Sequence, residues 1–325
     1  MAGSLIEKLR GKTPQELAQA VVHRVPPIRA TYRAYHKARY WDPMWYHVLN
    51  RAGKAEQAKR SIVLDAVQQH ALDTLRAEGI CQLSISDLFG DDDLLGRLQE
   101  EAARALAQPE VVSQVNSGMA RTDEKHFLVR ALGGVPLVDP GSELAMLPLN
   151  DKILDIVTAY LGLSPRLRAF DLWYTLPVDA AQPPILSQCW HRDYDDHRLV
   201  KMFLYLVDVD ESMGPFSYVR GTHSRGEYAS VLPTSPPRGS NPPDGAVEAL
   251  IPATQVLRCT GKAGTMILCD TNGFHQGGRS TSDPRLLLMA NYASDAANAP
   301  YLLRLGDPES YRNLSPAAKF ALRLQ

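Results

Sequence analysis

"GTMILCDTNGFHQGGRSTSDPRLLLMANY", residues 264–292, sets two short apolar runs either side of a long turn rich in Gly, Ser, Thr, Asn and Asp. "TMILCD" and "RLLLMANYA" are each too short for a globular helix, and their turn-forming borders mark them as strands. His275 stands in the turn between them, and Arg285 begins the second run. The same texture extends back to about Pro165, through "LRAFDLWYTL", "LVKMFLYLVDV" and "FSYV". Strands that follow one another without intervening helices predict an antiparallel sandwich or barrel, not a parallel α/β sheet.

Upstream the pattern is helical. "TPQELAQAVVHRV" offers Thr13 as N-cap, Pro14 at the first position and Glu16 at the third, with Pro26 and Pro27 expected to break the helix. "AKRSIVLDAVQQHALDTLRAEG" places Ile62, Ala66, Ala71 and Leu75 at helical spacing and stops at Gly79. "ICQLSISDLFG" alternates like a strand, "DDDLLGRLQEEAARALAQ" starts acidic like a helix, and Ser315-Pro316 opens a short final helix. The expected organisation is an N-terminal helical, basic and aromatic region over 1–75, then a mainly β domain with flanking helices over 76–325. Within it, "VLPTSPPRGSNPPDGAVEALIP" (231–252), with six prolines, has the character of a lid-like loop.

In a chain of 325 residues, 45% hydrophobic and 22% charged content is that of a soluble globular protein. The formal net charge is −1, yet residues 1–60 hold 12 Lys/Arg against 4 Asp/Glu, or 12 − 4 = +8. With Tyr32, Tyr35, Tyr40, Trp41, Trp45 and Tyr46 interleaved, this opening can touch a polyanion or a membrane surface, or dock on an acidic body with its rings inward. No nucleic-acid partner is expected. The first twenty residues lack an apolar core segment, and 18 uninterrupted apolar residues occur nowhere, so a cytoplasmic location is expected. Cys81, Cys189, Cys259 and Cys269 occur singly, against a zinc knuckle or disulfide framework.

Chemistry concentrates in "CWHRDYDDH", residues 189–197. If a strand runs through it, the period of two puts His191 and Asp193 on one face, with α-carbons about 6–7 Å apart, and Arg192 on the other. On a helix the pair would diverge by about 200°. Joined by His275, they would complete the two-histidine, one-carboxylate facial triad of non-haem Fe(II) oxygenases, whose open positions can take a 2-oxo acid and dioxygen. Arg285 offers a permanently charged, planar donor for a distal carboxylate. Alternatives remain: Asp195, Asp196 and His197 read as a solvated turn, so that Asp196→Ala is expected largely to spare the oxygenase activity that Asp193→Ala abolishes, but His197 can in principle replace His191. His223 reads as a hydrogen-bonding turn residue, and Arg192, Tyr194, Arg220 and Arg279 can meet an anionic substrate or serve structure. Lys201 can face either the co-substrate or solvent.

Three pieces in order, "HRD", "FLYLVDVDESMGPFSYVRGTHS" and "HQGGRSTSDPR", make the segment from about Arg166 to Ala293 resemble the phytanoyl-CoA dioxygenase family of Fe(II)/2-oxoglutarate-dependent oxygenases. The resemblance implies a double-stranded β-helix, a cupin-like jelly roll. It implies iron ligation by His191, Asp193 and His275, a salt bridge from Arg285 to 2-oxoglutarate, and Phe203 flanking that co-substrate. It further implies decarboxylation to succinate and CO2 with O2, coupled to hydroxylation of a small-molecule C–H bond. Asp193 favours that outcome, since related halogenases lack the carboxylate. Arg220 and Arg279 depart from the family pattern, which commonly has proline and a small polar residue there. The rival expectation is a metal-retaining jelly-roll binding module that works through its basic N-terminal arm.

Overall fold

The computed structural model describes residues 26–118, 125–232 and 241–324. The helix expected over 13–25 and the middle of the Pro-rich segment lie outside these residues. The helices are α1 (Pro26–Arg39), α2 (Arg51–Ala58), α3 (Ala66–Glu78), α4 (Ile85–Phe89), α5 (Leu94–Leu106), α6 (Pro109–Ser117), α7 (Glu143–Met146), α8 (Asp151–Leu161), α9 (Ala246–Leu250) and α10 (Pro316–Ala321). The strands are β1 (Ile80–Ser84), β2 (Leu128–Arg130), β3 (Leu137–Val138), β4 (Arg166–Thr175), β5 (Val200–Tyr205), β6 (Ser217–Val219), β7 (Val256–Arg258), β8 (Thr265–Cys269), β9 (His275–Gln276), β10 (Arg285–Ala293) and β11 (Arg304–Leu305).

Local chemistry explains where these elements start, and it corrects two expectations. Pro26 and Pro27, expected to break a helix, are the first of the described residues and are helical, and the segment they were expected to end lies outside those residues. Ile62 lies outside α3: the Asp65 side chain accepts from the Gln68 amide (2.8 Å) while Gln68 Oε1 accepts from the Asp65 amide (3.0 Å), a reciprocal cap that starts the helix at Ala66. The strand expected across 80–90 stops at Ser84, whose Oγ caps α4 through the Ser86 amide at 3.2 Å. The final helix begins where expected, at Ser315-Pro316.

Strands of the expected kind form a six-stranded sheet ordered β1-β8-β5-β10-β4-β2 and a three-stranded sheet ordered β7-β6-β9, every pairing antiparallel. The protein is thus a mixed α/β structure built on antiparallel sheets. Period-two alternation divides the large sheet into two faces. Met202 and Leu204 of β5, Met266 and Leu268 of β8, and Leu286, Leu288 and Ala290 of β10 join the core formed with α3 and α8. Phe203, Tyr205, Ile267, Cys269, Leu287 and Met289 face the other way and pack with Phe216 and Tyr218 near the small sheet. Both faces of β10 are therefore buried, which is why it is apolar on both from Leu286 to Ala290. Lys201 and Arg285 share the parity of the second face.

The basic N-terminal stretch docks with only some of its rings inward. Trp45 is wholly buried, whereas Tyr35 and Trp41 stay exposed. Cys81, Cys259 and Cys269 are buried free thiols and Cys189 is half-buried. Among the described residues no helix is long and apolar enough to cross a membrane.

Candidate metal centre

His191 and His275 come together through backbone pairing. The two residues form an antiparallel bridge in which each amide donates to the other's carbonyl at 3.0 Å. Directly paired residues project their side chains to the same face, and the two imidazoles accordingly stand 4.1 Å apart between ring centroids. The pairing continues as the Asp193 amide donates to the Thr271 carbonyl at 2.8 Å, placing Asp193, two residues on, beside both rings. No regular strand runs through 189–197: residues 186–188 form a 3₁₀ turn and the pair is held by this isolated bridge. The alternation expected of a strand nevertheless survives, since His191 and Asp193 line one cavity and Arg192 and Tyr194 line another.

One donor atom from each of His191, Asp193 and His275 lies within 4.8 Å of the others. His191 Nδ1 is 2.9 Å from the Cys189 carbonyl and His275 Nδ1 is 3.0 Å from the Gly273 carbonyl. A carbonyl only accepts, so each ring carries its proton on Nδ1 and offers a lone pair on Nε2. Burial lowers the His191 pKa, and burial together with the neighbouring His191 pushes His275 down to about 3. Burial alone would raise the Asp193 carboxyl, but the Lys201 ammonium and the two imidazoles outweigh it and hold the group well below the carboxylate range. Neutral imidazoles and an ionised carboxylate are the protonation states a divalent metal requires.

Lys201 points inward: its Nζ is 2.6 Å from Asp193 Oδ2. It shares a cavity of about 120 Å³ with the three residues above, Phe203 and Arg285. Arg285 is buried beside the Tyr205 hydroxyl, donates through Nη2 to the Gly277 carbonyl at 2.6 Å, and leaves Nε and Nη1 without a well-formed hydrogen bond. The turn that supplies Gly277 crosses the chain at Gly214. A β-carbon at Gly214 would collide with the Arg279 backbone and one at Gly278 with Gly214, and both residues have positive φ (63° and 64°). These glycines let two backbones touch beside Arg285. Trp173, Phe216 and Leu287 also line the cavity, and Phe216 packs 4.8 Å from Phe203 and 5.7 Å from His275 between ring centroids. Trp173 and Phe216 carried no signal in the sequence beyond their strand and turn context.

The solvated turn expected at Asp195, Asp196 and His197 is overturned, since none of the three is exposed. Asp196 is wholly buried and accepts from Trp45 Nε1 (2.7 Å), the Ser294 amide (2.7 Å) and the His197 amide (2.8 Å). His197 Nε2 lies 2.7 Å from Asp42 Oδ1, away from the triad, and the Tyr40 hydroxyl donates to the Tyr194 carbonyl at 2.8 Å. The N-terminal helices pack over this turn and remove Asp196 from water. His223, as expected, hydrogen-bonds within the structure, with Nε2 3.1 Å from the Arg76 carbonyl. Arg220 and Arg279 donate to the Thr254 (2.5 Å) and Asp179 (2.8 Å) carbonyls, and neither lines the cavity.

No protein-family model matches the chain, and no curated protein matches its sequence. Solved structures do. EctD from S. alaskensis with 2-oxoglutarate and 5-hydroxyectoine is 19% identical, with a TM-score of 0.51, covering 75% of this chain and 88% of its own. AviO1 from Streptomyces viridochromogenes Tue57 is 19% identical (TM-score 0.47, 73% of this chain and 98% of its own). The non-heme alpha ketoglutarate dependent epimerase SnoN from nogalamycin biosynthesis is also 19% identical (TM-score 0.48, 70% and 84%). At this identity the likeness to EctD is evidence of a shared fold.

Proposed function

We propose that the protein is a non-haem Fe(II)/2-oxoglutarate-dependent dioxygenase that hydroxylates a C–H bond of a small molecule, consuming O2 and releasing succinate and CO2. One observation carries this: a single cavity joins His191, Asp193 and His275 to a buried guanidinium with two unpartnered nitrogens. A metal-retaining binding module would have no use for that guanidinium. Likeness of fold to EctD, crystallised with 2-oxoglutarate, supports the same reading, as it does a double-stranded β-helix for the two antiparallel sheets.

The donor set fits Fe(II): two imidazole Nε2 atoms and one carboxylate, with the rest of the metal's sphere open to co-substrates. Iron held there with 2-oxoglutarate and dioxygen supplies the oxidising power for C–H cleavage. The chain's own residues position and exclude. Arg285 would meet the distal carboxylate of 2-oxoglutarate with its positive charge and its unpartnered Nη1 as donor. Phe203, Phe216, Trp173 and Leu287 wall the co-substrate from water, which strengthens the Arg285 interaction. Lys201 fixes the Asp193 carboxylate and balances its charge in a buried site. We further propose that the described part of the N-terminal region, residues 26–75, covers the 76–325 oxygenase domain and that the described ends of the Pro-rich segment, 231–232 and 241–252, belong to its lid. Trp190 Nε1 donates to Glu248 at 2.8 Å, tying the described end of that segment to the residue before His191.

Anaerobic addition of Fe(II) and 2-oxoglutarate is expected to produce a visible metal-to-ligand charge-transfer band, and aerobic turnover to release succinate that His191→Ala abolishes. Folded, iron-loaded protein that does neither would end the proposal, and product analysis in a substrate screen distinguishes hydroxylation from desaturation, epimerisation or ring formation. Lys201→Met is expected to weaken Fe(II) binding about 10–100-fold, the usual cost of losing a group that orients a metal ligand. Calorimetric titration with Fe(II) under argon checks this, and an unchanged affinity would leave Lys201 no orienting role.

A further inference from the structure

The oxygenase reading leaves aside Arg192, Tyr194 and the basic, aromatic N-terminal stretch, all of which meet at a second cavity. It is about 400 Å³ in volume, within the range of small-molecule pockets, and shares no lining residue with the cavity around His191. His36, Lys37 and Tyr40 of α1 form one wall, and Arg192, His197 and Ser224 contribute to the others. No carboxylate is among its described lining residues.

Arg192 is only 3% exposed. Its guanidinium lies 4.0 Å from the centroid of the Phe274 ring, and Nη1 donates to the Asn272 carbonyl at 3.3 Å. Nε and Nη2 have no partner. These two nitrogens form one edge of the planar fork, and stacking on Phe274 holds that edge in a fixed orientation. His36, 4% exposed, likewise leaves Nδ1 unpartnered at the same cavity. Buried polar groups in folded proteins are almost always hydrogen-bonded, and the buried Asp270 carboxylate favours the Arg192 charge through space without an ion pair that would occupy its Nε and Nη2. Lys37, exposed on α1, adds a second positive charge.

We propose that this cavity binds the oxyanion group of a small phosphorylated or carboxylated molecule, with the Nε/Nη2 edge of Arg192 as bidentate donor and Lys37 as the second charge. The site lies on the reverse face of the segment that carries His191 and Asp193, and it stands independently of the metal reading. The N-terminal region then serves as the wall of an anion pocket, in place of an open polyanion-binding surface.

Isothermal titration of the full chain with inorganic pyrophosphate and, separately, with citrate at constant ionic strength tests this. Saturable binding of at least one anion is expected; preference for pyrophosphate assigns a phosphoryl ligand and preference for citrate a carboxylate. Arg192→Lys keeps the charge but loses the fork, and is expected to weaken binding about tenfold or more. Lys37→Ala, an exposed change that does not endanger the fold, is expected to weaken it several-fold, while Lys262→Ala and the metal-site variant His275→Ala leave it unchanged. The proposal is overturned if neither anion binds saturably, or if binding is indifferent to both Lys37→Ala and Arg192→Lys.

Discussion

Asp193→Ala is expected to abolish measurable Fe(II) binding and to cut 2-oxoglutarate turnover by roughly 10³-fold or more. A bound metal contributes several kcal/mol of stabilisation to the reaction it serves, and each ~1.4 kcal/mol lost is tenfold in rate. The substitution also strands the Lys201 ammonium, whose carboxylate partner at 2.6 Å disappears from a buried site. Breaking such a pair from one side costs about 3–5 kcal/mol, so lost activity alone could reflect a loosened fold. Asp193→Ala/Lys201→Met separates the two effects: it removes the orphaned charge and is expected to recover thermal stability while remaining unable to bind Fe(II). Circular dichroism melts with equilibrium dialysis of Fe(II) provide the two readouts. Full iron affinity in Asp193→Ala would exclude the carboxylate as a ligand.

Three residues along the chain, Asp196→Ala is expected to act on stability instead of chemistry. The carboxylate accepts from Trp45, Ser294 and His197 in a site with no access to water. Each buried donor left unpaired costs ~1–3 kcal/mol, so a loss of at least ~3 kcal/mol follows. Thermal unfolding of metal-free protein is the direct measurement, expected to show a drop of several degrees and earlier exposure of Trp45 by fluorescence. A melting temperature equal to that of the parent would mean that these hydrogen bonds do not tie the N-terminal helices to the core. Asp196→Asn keeps one acceptor oxygen and is expected to fall between the two.

The contrast between these aspartates marks how far local sequence carries. In "CWHRDYDDH" the alternation of side chains over 191–194 was legible, and the two cavities separate His191 and Asp193 from Arg192 and Tyr194 without a regular strand. Burial of Asp196 was not legible, because its partners stand 151 positions before it and 98 after it. A run of charges between apolar stretches looks solvated until the element that covers it is placed. The direction of Lys201 was open for a related reason: period two puts it on the side of Phe203, but which side faces the cavity depends on how β5 pairs with β8 and β10. Ile62 was misjudged more locally, where a capping box outweighed spacing.

By itself, then, the sequence determined the elements and the chemical types: short apolar strands, an HxD pair, a histidine in a turn and an arginine opening the next strand. Each depends on steric periodicity or side-chain chemistry within a few residues. Only the tertiary structure decided that His191 pairs with His275 in the register that points both rings the same way. It alone placed Lys201 on Asp193 and closed the N-terminal helices over Arg192. Those facts rest on contacts between segments distant in sequence, where a shift of one residue would turn every side chain to the opposite face.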